Sequence, residues 1–168
     1  MTEVLDHTKL ANIVRNGIKG SVCRESTGDL SVELEKLRDV LGFLQKEESL
    51  DFKLLNSITA VDYIEFFQLV YHLTSLTHNH CAVIKVDIFD RSNPTAPSVI
   101  DIWRGADYQE REIYDLMGIQ FKDHPNLKRL LLWEGFEGHP LRKDFPLTGH
   151  NEVSYSEKEK KIVYEKVK

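Results

Sequence analysis

The residues best suited to chemistry lie close together between positions 107 and 115, where charged side chains recur at helical spacing. This group consists of Asp107, Glu110, Arg111, Glu112 and Asp115. On a helix, Arg111 would lie four residues from both Asp107 and Asp115, close enough to bridge the two carboxylates. A catalytic interpretation would use Glu112 or Asp115 as acid and base, or recruit His124 to make a metal site. Paired Arg and carboxylate side chains on a helix are usually surface ladders or interface ties, so we favour a structural role.

Histidines are a second possible source of chemistry. His78 and His80 lie two positions apart, which on a strand is one face and could chelate a divalent metal, although a polar turn is the favoured interpretation. His124 and His139 each precede a proline and are expected in extended backbone. No Ser or Cys lies in a nucleophile motif, and the glycines form neither a phosphate loop nor a dinucleotide fingerprint. A small metal-dependent hydrolase stays open as an alternative; it would use His78, His80, His124 and Glu112.

Composition narrows the function classes. The 168 residues are 41% hydrophobic and 29% charged, which is typical of one globular domain with a core of its own. A net charge of -5 argues against general nucleic-acid binding, although an RNA-binding module could use the locally basic segment 128–143. Only two cysteines, Cys23 and Cys81, are present, too few for an iron–sulfur cluster or a Cys-rich zinc site.

We expect no direct membrane span, because no apolar run approaches the ~20 residues required. The start shows no signal peptide, so we expect a reducing compartment.

The apolar pattern predicts the elements that must position these residues. It favours an α+β fold in which a mainly antiparallel sheet has helices packed on one face. Strands are predicted at 21–24, 30–33, 52–58, 66–76 and 81–89. Helices are predicted at 5–18, 34–44 and 99–117, the last in one piece or in two around Gly105. Gly118 is well placed to end the last helix in a left-handed turn.

Prolines and glycines dominate the chain after Gly118 and predict an extended arm with alternating apolar and charged residues. We therefore divide the chain into an α+β domain, residues 1–120, and a C-terminal arm and tail, residues 121–168. Aromatic, Leu and Arg side chains on such an arm can anchor in the grooves of another protein. The arm is thus predicted to dock on partner subunits, with residues 151–168 as a short strand or helix laid on a partner. An arm folded back on its own domain fits the same residues about as well.

Two motifs in this region resemble a known family. Residues 110–119 read EREIYDLMGI and are followed by Phe121, by His124 and Pro125, and by LKRLL at 127–131. This order resembles the signature of the thirty-kilodalton subunit of NADH:quinone oxidoreductase, respiratory complex I. Residues 138–147, GHPLRKDFPL, are similar to the C-terminal arm of the same family. The chain is expected to be the unfused form of this subunit.

The resemblance implies a non-catalytic structural subunit in the quinone module of the peripheral arm of a proton-translocating enzyme. This chain would hold no cofactor, while the assembled complex would carry FMN, iron–sulfur clusters and quinone. The implied partners are the hydrogenase-like large subunit, the small subunit with the terminal iron–sulfur cluster, and other peripheral-arm subunits, with no nucleic acid. The implied location is peripheral, on the cytoplasmic or matrix side of a cell or organelle inner membrane. A membrane-bound hydrogenase or a ferredoxin- or F420-linked quinone oxidoreductase could use the same module.

No catalytic, cofactor-binding or metal residue is expected. The residues expected at the partner interface are Glu110, Arg111, Glu112, Asp115, His124, Pro125, Arg129, Gly138, His139, Pro140, Leu141, Arg142, Lys143, Asp144, Phe145 and Pro146. Reversing Arg142 and Lys143 to Glu is expected to release the subunit from its complex and to leave the isolated domain folded.

Overall fold

The computed structural model describes residues 2–149 and 151–167, and within them three α-helices and ten strands follow one another. In chain order these are β1 (Glu3–Val4), α1 (His7–Gly17), β2 (Val22–Ser26), β3 (Asp29–Val32), α2 (Leu37–Lys46), β4 (Leu54–Asp62), β5 (Phe67–Ser75), β6 (His80–Ile88), β7 (Thr95–Pro97), α3 (Ala106–Met117), β8 (Gln120–Lys122), β9 (Asn151–Ser156) and β10 (Lys161–Lys166). A single 3-10 turn, Leu34–Lys36, leads into α2.

The main sheet has the strand order β2-β3-β6-β5-β4, and β1 pairs with β6. Neighbouring strands are antiparallel except where β1 and β3 run parallel to β6, so the sheet is mixed and mostly antiparallel. The predicted α+β fold is confirmed. Its register places Tyr71 opposite Ile84 and Leu69 opposite Val86, which puts the apolar residues of both strands on one buried face.

The helices cover that buried face. Each contributes an apolar stripe to one shared core: Leu10, Ala11 and Val14 from α1, Leu37, Val40, Leu41 and Leu44 from α2, and Ala106, Ile113 and Met117 from α3. Burial of one such Leu or Val side chain contributes about 1.5–3 kcal/mol, so the amphipathic pattern is enough to hold the helices on the sheet. The opposite face carries polar residues such as His72 and Lys85. One face of the sheet therefore forms the core, as the alternation in β6 predicts.

The predicted helix over 99–117 is correct only in its second half, because α3 begins at Ala106. Residues before it form turns that are fixed by contacts far along the chain. The Trp103 indole N–H donates to the carbonyl of Phe52 (3.2 Å), and the Val99 N–H donates to the Glu110 carboxylate (2.8 Å). The backbone N–H of Trp103 donates to the carbonyl of Val99 (2.9 Å), so these residues form a separate turn before α3. Three short strands, β1, β7 and β8, lie outside the predicted elements, since two or three residues are too few to show a period.

The arm differs in detail from the extended segment that its prolines and glycines predict. Residues 123–149, all of which the structure describes, form successive turns and bends rather than strands or helices. Gly135 and Gly138 take positive φ angles of 90° and 89°, which reverse the chain direction. The tail, predicted as a short strand or helix, forms the antiparallel hairpin of β9 and β10. Side chains of α3 and of the end of β4 hold the turns of the arm in place.

Candidate partner-binding site

The centre of the site is α3, whose charged residues hold the arm. Glu110 and Asp115 are fully buried, Arg111 is nearly so, and Glu112 is exposed. The helix ends at Gly118 with φ 72°, the left-handed turn that its position predicts. Three of the five charged residues, Glu110, Arg111 and Asp115, are therefore buried ties within the chain and not a ladder on its surface.

Asp115 gathers the first part of the arm. One carboxylate oxygen, Oδ2, accepts hydrogen bonds from the backbone N–H groups of Leu130, Leu131 and Leu132 (2.7–2.9 Å). The other, Oδ1, pairs with Arg129 at 2.8 Å. Burial alone would raise the pKa of Asp115, but these backbone donors and Arg129 outweigh it and lower the pKa. A charged carboxylate is thus the folded-state form, and it fixes the turn at 130–132.

Two arginines extend this network to backbone carbonyls. Arg129 also donates to the carbonyls of Phe136 (3.0 Å) and Gly138 (3.3 Å). Arg111 donates to the carbonyls of Lys128 (3.3 Å) and Arg129 (3.4 Å). The predicted bridge from Arg111 to the two neighbouring carboxylates of the helix is wrong. The arm supplies closer acceptors for this guanidinium, and Asp115 is already satisfied by other donors.

The end of α3 receives the second part of the arm. Nδ1 of His139 donates to the carbonyl of Asp115 (2.8 Å), and the Arg142 Nε–H donates to the carbonyl of Met117 (2.6 Å). Burial, aided by the charge of Arg142, lowers the pKa of His139 and keeps the ring neutral. A Cβ on Gly118 would meet the His139 ring and the Arg142 guanidinium at 2.5 Å. Glycine is therefore required there both by φ and by the close approach of the arm.

A further tie lies at the end of β4. The Asp62 carboxylate, nearly fully buried, accepts from the backbone N–H of Lys143 (2.9 Å) and of Ile64 (2.7 Å) and pairs with Arg91 at 2.5 Å. Burial acts to raise the pKa of Asp62, but Arg91 and the two backbone donors lower it to about 2. The same Arg91 reaches Asp144 at 3.4 Å. This tie joins residues 81 positions apart, and sequence reasoning missed it, because an aspartate at a strand end indicates only a local turn.

Glu110 and His124 form the last buried pair. The Glu110 carboxylate accepts from the Ser98 hydroxyl (2.6 Å) and from the Val99 N–H (2.8 Å), which fixes the turns before α3. Nε2 of His124 lies 3.9 Å from Glu110 and 3.3 Å from Asp107. Burial outweighs the two hydrogen bonds and raises the pKa of Glu110 to about 7. Ser98 carried no sequence signal that links it to Glu110.

The histidine pair near β6 serves the fold as well. Nε2 of His78 donates to the carbonyl of Glu48 (2.8 Å), and Nε2 of His80 donates to the carbonyl of Leu50 (3.0 Å). His78 lies in the turn between β5 and β6 and His80 is the first residue of β6, whereas His124 lies against α3. Across residues 2–149 and 151–167, no three His, Cys, Asp or Glu side chains are grouped to hold a metal ion. The hydrolase alternative therefore has no assembled metal centre in the described chain.

Apolar side chains on the arm and the hairpin point outward. The exposed ones are Leu131, Trp133, Leu141, Leu147, Val153, Tyr155, Ile162 and Tyr164. In the hairpin register Val153 pairs with Tyr164 and Tyr155 with Ile162, so all four share one face. Monomeric proteins rarely expose so continuous an apolar face, and an isolated two-stranded hairpin is marginally stable in water. Exposed apolar side chains of this kind are typical of protein-docking surfaces.

The predicted interface residues fall into two groups. Buried or half-buried residues fix the arm: Glu110, Arg111, Asp115, His124, Arg129, His139, Pro140, Arg142, Phe145 and Pro146. Exposed residues face outward: Glu112, Pro125, Gly138, Leu141, Lys143 and Asp144. Because Arg129 and Arg142 donate to acceptors of the chain itself, the basic segment has fewer charges to offer to RNA phosphates. Contact with a partner stays a prediction for both groups.

Known proteins are similar to this chain in both sequence and fold. The family described as the 30-kDa subunit of respiratory-chain NADH dehydrogenase matches residues 30–151. A subunit of NADH-quinone oxidoreductase from Hyphomonas neptunium is 45% identical over 142 residues, 83% of this chain and 69% of the relative. The subunit of the same name from Wolbachia sp. subsp. Brugia malayi is 39% identical over 161 residues, 93% and 84% of the two chains. Among solved structures, the archaeal membrane-bound sulfane sulfur reductase, a respiratory membrane complex, contains a similar chain. Its TM-score is 0.68 at 26% identity, over 83% of this chain and 85% of that one.

Proposed function

The chain belongs to the family of the 30-kDa subunit of respiratory-chain NADH dehydrogenase, and on this premise we propose that it is a non-catalytic structural subunit of that enzyme's quinone module. The complex would pass electrons from NADH through FMN and iron–sulfur clusters to quinone and translocate protons. This chain would hold the hydrogenase-like large subunit and the small subunit with the terminal cluster at fixed spacing. Its own contribution would be geometric.

One observation carries the proposal. The buried charged side chains are used as internal ties, and the segment that they hold displays exposed apolar side chains. Asp115 and Asp62 fix backbone N–H groups of the arm, while Leu141, Leu147 and the hairpin face stay exposed. A preorganised docking segment loses little conformational entropy when it binds, which favours stable assembly.

The proposed location is the membrane periphery, on the cytoplasmic or matrix side. In the described residues, 2–149 and 151–167, no helix combines the length and apolar character needed to cross a bilayer. The apolar surface of the arm supports attachment through partner subunits. Membrane association would then depend on the rest of the complex.

A second candidate keeps the same role in a different respiratory complex. The likeness to the membrane-bound sulfane sulfur reductase shows that this fold also serves there, at 26% identity. The 39–46% identity to NADH-quinone oxidoreductase subunits favours the first candidate. The set of partners decides between them.

The test is a mild detergent pull-down of the tagged full chain from its native membranes, with mass spectrometry of the partners and an optical spectrum. We expect co-purification with FMN and iron–sulfur subunits. A hydrogenase-like or sulfur-reductase set would support the second candidate, and a chain recovered without partners would contradict both.

Exposed residues make the cleanest variants for this test. Arg142 donates to the carbonyl of Met117 and lies over the Phe67 ring at 5.2 Å, so its reversal would disturb the fold as well as the interface. Leu147→Asp should lower recovery of partners without changing the thermal melting of the chain. Leu76→Asp is the matched control, because Leu76 is as clearly exposed but follows β5, away from the arm. Equal recovery for the two variants would contradict docking through the arm.

A further inference from the structure

Three aromatic rings meet where the arm touches the hairpin. The Trp133 and Phe136 rings are nearly perpendicular, at 85° with centroids 4.8 Å apart, and Tyr164 of β10 tilts against Trp133 at 5.7 Å. Together with Gly149 and Asn151 they line a cavity of about 250 Å³ that opens to the surface. We refer to this cavity as the aromatic corner. Its rings come from two separate segments, so it exists only when the hairpin is folded against the arm.

Two carboxylates complete the corner. Glu134 and Glu137 line the same cavity, and both are exposed residues of the arm. Aromatic ring faces carry negative electrostatic potential, and they attract a Lys ammonium or Arg guanidinium that lies within about 6 Å of the ring centre. Rings and carboxylates therefore favour the same ligand charge. The chain uses this chemistry itself nearby, where the Arg129 guanidinium lies 5.9 Å from the centroid of Phe136.

We propose that the aromatic corner binds a cationic side chain, Arg or Lys, of a partner subunit. The inference rests on the proposed docking role and gives that surface its chemistry of recognition. The corner is continuous with the apolar hairpin face, since Tyr164 belongs to both. An apolar face that adjoins an aromatic and acidic recess matches a protein segment in which a basic residue lies beside apolar ones. Arg and aromatic residues are the usual anchors of such interfaces.

The experiment compares tagged full-length variants expressed in cells that lack the wild-type chain. The ratio of complex-bound to free chain is measured on native gels of solubilised membranes. Trp133→Leu keeps an apolar side chain but removes the ring, and Trp133→Phe restores a ring. A double variant, Glu134→Gln with Glu137→Gln, removes the charge and keeps the shape. We expect Trp133→Leu and the double variant to lower the ratio about 5- to 30-fold, and Trp133→Phe to keep most of it.

Matched controls use the same chemical changes elsewhere. Phe89→Leu replaces an exposed aromatic residue at the end of β6, and Glu35→Gln with Glu48→Gln neutralises two exposed carboxylates far from the corner. Both controls should retain the wild-type ratio. Thermal melting of every purified variant shows that the chain has folded.

The outcomes separate the possible occupants. If Trp133→Leu lowers the ratio of bound to free chain and the glutamine double variant does not, the contact is apolar and the cation proposal is overturned. The proposal is also overturned if neither variant lowers the ratio. Binding of the isolated chain to phosphatidylcholine vesicles, if Trp133→Leu abolishes it, assigns the corner to a lipid headgroup and also overturns the proposal. If the wild-type chain itself does not migrate with a complex, the proposed function fails, which is distinguishable from failure of the corner alone.

Discussion

Asp115→Asn is the substitution that most directly tests whether buried ties hold the arm. The amide keeps the size of the carboxylate but has one acceptor oxygen instead of two and carries no charge. Oδ2 now accepts three backbone N–H groups while Oδ1 pairs with Arg129. Whichever way the amide is oriented, its NH₂ group faces a donor. The variant therefore leaves either Arg129 or the turn at 130–132 without its acceptor.

The magnitude follows from burial. Breaking a buried ion pair by removing one charge costs about 3–5 kcal/mol. Because the Arg129 side chain is 24% exposed, water compensates part of this loss, and we expect about 3 kcal/mol. With a urea m-value of about 2 kcal/mol/M, the unfolding midpoint should fall by about 1.5 M. Amide hydrogen exchange at residues 130–132 should accelerate together with it.

The pH dependence supplies an internal check. The pKa of Asp115 is lowered in the folded chain, so its stabilisation is present above the ordinary value of 3.8 and is lost as the pH falls towards the lowered value. The difference in the free energy of unfolding between wild type and Asp115→Asn should thus be smaller at pH 3 than at neutral pH. Glu112→Gln, an exposed change on the same helix, is the control and should shift stability by less than about 0.5 kcal/mol. If Asp115→Asn is as stable as this control at neutral pH, the buried-tie argument is refuted.

Three other changes test the remaining contacts. Gly118→Ala should lower the free energy of unfolding by about 2–3 kcal/mol in thermal melts, because it combines a positive φ with a Cβ that collides with the arm. Gly28→Ala is the control, since Gly28 also has a positive φ but has open space around its Cβ. It should lower the free energy of unfolding by only about 1 kcal/mol. The pKa of Glu110, raised to about 7 by burial, means that the folded chain binds a proton more tightly than the unfolded chain. Stability from this group therefore declines by about 1.4 kcal/mol per pH unit between about 5 and 7, and Glu110→Gln should remove that part of the slope in urea titrations at several pH values. Asp62→Asn should free the arm near Lys143, seen as faster tryptic cleavage there; unchanged cleavage would contradict the tie.

The order of the helices and strands could be read from the sequence because their signals are local. Alternation in β6 identified the buried face, and helical spacing in α2 and α3 identified the stripes that pack on it. Gly118 marked the end of α3 and Gly28 the hairpin turn, since each occupies a positive φ that other residues avoid. The order of residues within a single helix, strand or turn is enough for such predictions.

Partners of the charged residues could not be predicted in the same way. Helical spacing alone paired Arg111 with Asp107 and Asp115, yet the fold gives Arg111 backbone carbonyls and gives Asp115 the N–H groups of the arm. Likewise, Asp62 shows no signal that points to Lys143. A local pattern contains no information on which distant acceptors the packed chain brings closer.

The sequence by itself thus determined the family, the α+β class and the position of the arm, because motifs, periodicity and glycine or proline positions are properties of short stretches. Only the tertiary structure decided that Glu110 and Asp115 are buried ties and that Trp133 and Tyr164 meet beside two glutamates. A buried charge must find its partners wherever the fold supplies them, and a corner built from two segments exists only after both have packed.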